Sequence, residues 1–345
     1  MTAAAPTHQR AFCKITVAGE DVTSNINPRL LNLTVILKSE DVSEAHLELD
    51  DRYGQIKIPE EEDTITIELG WLDEGSFSVF RGSVFDLESA GQKRGGRTMT
   101  IIAHEANMLA PFKAQTRWSE GDGTEDVKLE KALKTASGFA SIDVKIAPEL
   151  AKLTRKFWMG NNESFMSFGQ RIAGEVGGVF KMSGQTATIT KPGGDADGNA
   201  TGSVTAQAGK NLIAWRVRPR IARAIWANTG HVHFDPMAAA WKLVQSKVKN
   251  AGLVRPQADH TGVGAKSDKD TAQQGADGDA VSARLNAGTG WVMMNGEPQA
   301  QPWGQLVVLG ARPGVDGSYT ITDVEHNYNA QTGFTTRCDF LNPSS

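Results

Sequence analysis

Leu31, Leu33, Val35 and Leu37 recur at every second position in LLNLTVILKSED. That period places all four side chains on one face of an extended strand and does not suit a helix, whose faces recur roughly every 3.6 residues. The alternation returns in CKITVAGEDVT, where Ile15 and Val17 precede a turn at Gly19, and in AHLELDD, TITIELGW, SVFRGSVFDLESAG and TMTIIAHEA. The turn LDEGS joins 64–71 to 77–81 as a hairpin. Short strands at this spacing predict a barrel or sandwich.

Between residues 111 and 182 the period changes. TEDVKLEKALKTASG predicts a helix with Thr124 as N-cap, a stripe of Val127, Ala132, Leu133 and Ala136, and a stop at Gly138. In NNESFMSFGQRIAGEVGG, Phe165, Phe168, Ile172 and Val176 share a helical face, which reads as core packing, and Gly177 and Gly178 suit the C-terminus. VFKMSGQTATIT reads as a hairpin across Ser183 and Gly184.

Two polar stretches, 191–202 and 255–279, are rich in Gly and Asp and are expected to be exposed loops. Strands resume in NLIAWRVRPRI, RAIWAN, HVHFD, GWVMMNG and GQLVVLG. Met237–Asn250 reads either as a helix opened by Asp235 and Pro236 or as a strand alternating at Trp241 and Leu243. In the closing hairpin Tyr319 and Ile321 share one parity, and Val324 and Tyr328 the other. A change of phase near Asp323 predicts a β-bulge. No internal repeat of residues is visible. The fold class is therefore mainly β, of the α+β kind, with expected domains over 1–110, 111–190 and 191–345.

Composition narrows the function. At 345 residues with 36 basic and 40 acidic side chains, the net charge is -4, which argues against nucleic acid as the main partner. No apolar run is long enough to span a membrane, and MTAAAPTHQR lacks the apolar region of a secretory signal. Cys13 and Cys338 are isolated and fall in strands, so buried free thiols in a reducing cytoplasm are expected.

Chemistry-bearing patterns are few. Alternation in His231-Val232-His233-Phe234-Asp235 puts two imidazoles and a carboxylate on one face. This is either a metal grip, as in a metal-dependent hydrolase, or a solvated strand face, the plainer reading. HEANM at 104–108 has Met108 where a zinc protease needs its second His. Glu60 to Asp63 reads as a solvated turn. In RVRPRIAR, the residues Arg216, Arg218 and Arg220 share a strand face and are candidates for contact with an acidic protein partner. No catalytic set and no cofactor is expected, and the pattern points to a protein that works by assembling rather than as an enzyme.

The last block, NGEPQAQPWGQLVVLGARPGVDGSYTITDVEHNYNAQTGFTTRCDF, resembles the C-terminal block of the phage late control protein D family. These are baseplate hub proteins of contractile tails, related to the N-terminal part of type VI secretion spike proteins. The residues that carry it are Gly310, Gly317, Tyr319, Ile321, Val324, His326, Gly333, Thr335 and Thr336. Further upstream, Glu163, Ser164, Phe168, Arg171, Ile172, Ala173, Glu175 and Phe180 resemble the family's helix and strand, and VFRGSVFDLES its strand pair.

The resemblance implies two tail-tube-like β-barrel domains with an α/β segment between them. It also implies a homotrimer whose paired domains make a quasi-six-fold ring between tail tube and central spike. The expected partners are the tail tube, spike, tape-measure and baseplate wedge proteins, with DNA only passing through. The expected location is the virion tail baseplate, assembled in the host bacterial cytoplasm, with a type VI-like secretion spike component as the alternative. His326 is implied to be structural, and the spike a separate polypeptide.

Overall fold

A computed structural model describes residues 10–60, 63–93, 96–106, 114–138, 142–195, 197, 201–218, 226–249, 258–285, 288–329 and 331–343. The first strands are β1 (Ala11–Val17), β2 (Glu20–Asp21), β3 (Leu30–Leu37), β4 (Glu44–Asp50), β5 (Thr64–Trp71), β6 (Gly75–Gln92) and β7 (Gly96–His104), with the short helix α1 (Thr23–Ile26) before β3. The middle holds β8 (Thr116–Glu120), β9 (Val127–Lys128), α2 (Leu129–Gly138), β10 (Asp143–Ile146), α3 (Pro148–Ala151), β11 (Thr154–Arg155), β12 (Trp158–Glu163), α4 (Phe165–Glu175), β13 (Val179–Ser183) and β14 (Thr186–Thr190). The last part runs β15 (Ser203–Gln207), β16 (Leu212–Arg218), β17 (Trp226–Asp235), β18 (Ala240–Lys247), β19 (Ala258–Lys266), α5 (Lys269–Leu285), β20 (Thr289–Asn295), β21 (Gln305–Leu309), β22 (Gly317–Asn329) and β23 (Gly333–Pro343).

The molecule is mostly β, and its largest sheet has, among the described residues, 13 strands drawn from both ends of the chain. The strand order repeats. The first part runs β3-β4-β7-β6-β5-β1, and the last part runs β16-β20-β23-β22-β21-β15, the same order taken strand by strand. Registers repeat as well. In the β6–β7 hairpin Ser83 faces His104 and Gln92 faces Gly96, with one residue skipped between Val84 and Asp86. In the β22–β23 hairpin Thr320 faces Leu341 and Asn329 faces Gly333, with a residue skipped between Ile321 and Asp323. The bulge expected near Asp323 is therefore present. One departure separates the parts: β1 lies antiparallel to β5, whereas β15 lies parallel to β21.

The two parts join where β3 pairs with β22, Leu37 facing Val324 and Leu33 facing Tyr328. No sheet closes on itself among the described residues. A single apolar core runs under the join, with Leu33, Leu47 and Ile67 from the first part and Val292, Ile321 and Phe340 from the last. The middle has its own core, including Leu133, Trp158, Phe168 and Ile172. Phe168 is 1% exposed, and burying a side chain of that kind contributes roughly 1.5–3 kcal/mol. Cys13 and Cys338 are buried and free, and burial pushes the Cys13 thiol up to about 12 and Cys338 higher than its ordinary value.

Several sequence expectations change. In β3 the register slips between Leu30 and Asn32, which turns Leu30 inward and leaves Leu31 exposed. The helix expected from Thr124 begins at Leu129, because Val127 and Lys128 pair with Arg155 and Thr154 while Thr124 bonds Asp122. Met237–Asn250 holds a strand, β18, paired along β17, while Asp235 caps the turn between them through the Met237 and Ala238 N–H groups. The expected loop 255–279 is instead mostly β19 and α5, with 255–257 outside the described residues. Asp268 caps α5 by accepting the Thr271 N–H at 2.8 Å.

Candidate assembly interface

β17, β18 and β19 form a separate three-stranded sheet covered by α5. This cover decides the fate of the HxHxD pattern. His231 and His233 are buried, not solvated, because α5 lies over their face of β17. His231 Nε2 lies 3.0 Å from Asp279 Oδ2 on α5. Its ring fills space left by two glycines. A Cβ at Gly262 would stand 2.0 Å from His231 Cε1, and one at Gly275 would stand 2.9 Å from Cδ2. Asp235 points its carboxylate at Lys242 and at its own turn. The three side chains thus have separate partners or surroundings, and among the described residues no group of three His, Cys, Asp or Glu could hold a metal ion. Around the acidic run, Asp63 accepts the Glu60 N–H at 2.9 Å, a local turn, while residues 61 and 62 lie outside the described residues.

The arginine cluster sits elsewhere. β16 is the terminal strand of the large sheet, paired along one edge with β20. Arg216 and Arg218 are exposed there, two residues apart and so on one face, and Arg220 lies outside the described residues. Two large apolar side chains on the same strand are also exposed, Ile213 at 49% and Trp215 at 41%. An edge strand presents unpaired backbone donors and acceptors, and charge is one device that keeps such edges from pairing at random. Exposed Ile and Trp beside that charge act in the opposite sense, since burying them is favourable.

The join between β3 and β22 is what a filled edge of this kind looks like. Leu33 and Val35 on β3 are wholly buried, as are Val324 and His326 on β22. Thr34 donates its hydroxyl to Asn327 Oδ1 across the join at 2.8 Å. His326 Nδ1 lies 2.9 Å from Thr336 Oγ1, and that hydroxyl oxygen also accepts the Glu297 N–H at 2.8 Å. Burial pushes the His326 imidazole down to about 3, so the side chain is neutral and belongs to the core. The sequence pattern marked His326 but did not reveal that it lies at the meeting of the two ends of the chain.

No protein-family model matches the chain. The chain is 23% identical over 194 residues to the "Probable baseplate hub protein" of Escherichia phage 186, covering 56% of this chain and 48% of that protein. It is 26% identical over 213 residues to the "Probable baseplate hub protein" of Escherichia phage P2, covering 54% of this chain and 53% of that protein. The chain thus spans about half the length of the curated relatives it matches. In fold it is similar to the tail protein from Neisseria meningitidis MC58, with a TM-score of 0.67 at 12% identity over 96% of both chains. The resemblance read from the closing block and the central helix therefore stands: this chain is similar in sequence to baseplate hub proteins of phages and in fold to a tail protein.

Proposed function

We propose that this chain is a structural baseplate hub protein of a contractile phage tail or a tail-like particle, acting as an adaptor between tail tube and central spike. The observation that carries the reading is the similarity to two phage baseplate hub proteins. The repeated strand order supports the finer part of it. Two similar units per chain, each a tail-tube-like barrel wall, let three copies present six near-equivalent faces to a six-fold tube while keeping three-fold symmetry toward a spike. The domains are the two β units, with the α/β segment of 111–190 between them.

The work of such a hub is mechanical. Its affinity comes from large obligate contacts between copies and with tube, spike, tape-measure and wedge proteins, on the order of 2,000 Å² or more for each permanent interface. The bore passes DNA, and a chain with net charge -4 suits passage without sticking. The reading places the protein in the virion tail baseplate after assembly in the host cytoplasm.

The deciding experiment is reconstruction by electron microscopy of particles carrying this chain, together with the mass of the purified oligomer. A ring of three copies at the junction of tube and spike is expected. Particles that assemble a complete tail without the chain would overturn the proposal.

A further inference from the structure

The internal join between β3 and β22 has counterparts elsewhere in the same sheet. In the last part of the chain, β22 offers its outer edge to two neighbours: residues 317–320 pair with β21, and residues 324–328 pair with β3. Its counterpart in the first part is β6, matched through the same bulge and the same hairpin turn. β6 pairs with β5 through residues 75–83, as β22 does with β21. Beyond Ser83, however, no strand occupies that edge of β6 among the described residues. The counterpart of β3 is β16, matched through its own register slip: Leu30 faces Leu49 before the slip and Ile36 faces Glu44 after it, as Leu212 faces Met294 and Arg218 faces Thr289. The outer edge of β16 likewise carries no strand among the described residues. Each part therefore has one strand of the joining pair filled and one empty.

We infer that β6 of one copy pairs antiparallel with β16 of a second copy of this chain, in the register that β22 and β3 use within the chain. Carrying the internal pairs across, Glu325 facing Ile36 becomes Glu88 facing Arg218, and Asn327 facing Thr34 becomes Ala90 facing Arg216. Tyr328 facing Leu33 becomes Gly91 facing Trp215. The side chains fit this docking. Glu88 meets a positive partner, and the large Trp215 meets a glycine.

Exposure gives independent support. Leu33 is 0% exposed in its filled join, whereas its counterpart Trp215 is 41% exposed. His326 is wholly buried, whereas its counterpart Ser89 is exposed. These differences are what a missing neighbouring strand produces. The contact is head-to-tail, since β6 and β16 are different surfaces, so it propagates until a ring closes. The pairing rests on the repeated register, and only the number of copies rests on the hub reading.

The test uses the full chain with Ala90→Cys and Arg216→Cys together. Thr34 and Asn327, the internal counterparts, touch across the join, so these two cysteines come within reach of a disulfide. The native Cys13 and Cys338 are buried and do not compete. Under oxidant, covalently linked trimers are expected on a non-reducing gel. None are expected from Ala90→Cys with Val217→Cys, where the second thiol points to the other face. As a second measurement, Glu88→Arg raises the dissociation constant of the oligomer at least tenfold, and adding Arg218→Glu restores it. Linked rings of another size would uphold the pairing and overturn the trimer. An oligomer of three copies that neither crosslinks nor responds to the charge swap would overturn the pairing and leave the hub reading intact. A chain that remains monomeric at high concentration overturns the pairing outright.

Discussion

His326 stands directly opposite Val35, and their pairing is where the two ends of the chain become one sheet. Because the imidazole is buried and pushed down to about 3 from its ordinary 6.5, the folded protein keeps it neutral while the unfolded chain takes up a proton. Its contribution is complete above about pH 6.5 and drains as the pH falls toward 3, at about 1.4 kcal/mol per pH unit. Between pH 6.5 and 5 the loss is about 2 kcal/mol. Denaturant titrations of wild type and His326→Leu at several pH values check this, with a flatter profile expected for the variant over that window.

Arg155 holds the middle of the chain to the last part. Its Nη1 lies 2.7 Å from Glu175 Oε2, its Nε donates to Gln274 Oε1 at 3.0 Å, and its guanidinium lies over the Trp158 ring at 4.5 Å. Burial by itself would raise the Glu175 carboxyl, but Arg155 beside it, with Lys266 and Arg171, outweighs burial and holds it below the ordinary 4.5. Arg155→Met leaves that carboxylate with Arg171 Nη1, 3.3 Å from its Oε1, as the remaining partner, and is expected to cost about 2 kcal/mol. The stabilisation is present above the ordinary carboxylate range and is lost as the pH falls through the depressed value. The deficit of the variant, measured by chemical denaturation, should therefore be largest near neutrality and narrow below about pH 4.5.

The His231 ring occupies space that glycine leaves. A methyl group at Gly262 overlaps the imidazole, so Gly262→Ala is expected to destabilise by about 1–3 kcal/mol. In a His231→Ala background the clash has nothing to meet, and most of that cost should vanish. Thermal melts of the two single variants and the double variant give the coupling directly, and about 1–2 kcal/mol is expected. Additive effects would mean that the backbone of β19 moves aside instead.

Much of this fold was legible in the alternation of single strands. The bulge near Asp323 followed from the change of parity between Ile321 and Val324, and α4 followed from Phe165, Phe168 and Ile172 on one face. The helix α5 escaped because its buried stripe is Ala272, Gly275, Ala276 and Ala280, small residues that carry little hydrophobic signal. Gly278 in that helix is there for close approach, since a Cβ would come within 2.7 Å of the Gly174 and Glu175 carbonyl oxygens of α4. The repeat escaped for a different reason. What β3 and β16 share is register and a slip, not residues: LLNLTVI against LIAWRVR. Pairings between strands far apart in the chain leave no local trace. The arginines were legible as a face, but nothing in the sequence showed that this face lies on a sheet edge.

The two cores found among the described residues imply two cooperative units where the three domains expected from the sequence would suggest three. One core runs beneath the β3–β22 join and takes side chains from both ends of the chain, and the other belongs to the middle. The first and last parts are therefore expected to unfold together, and the middle in a separate transition. Leu133→Ala opens a cavity in the middle core and should cost about 2–5 kcal/mol there, and Leu33→Ala should cost a similar amount at the join. Calorimetry of both variants decides the point. Each substitution should lower one transition and leave the other in place, and Leu33→Ala should lower the transition that also carries Phe340. A shift of both transitions by either variant would mean that contacts such as Arg155 with Gln274 bind the cores into a single unit.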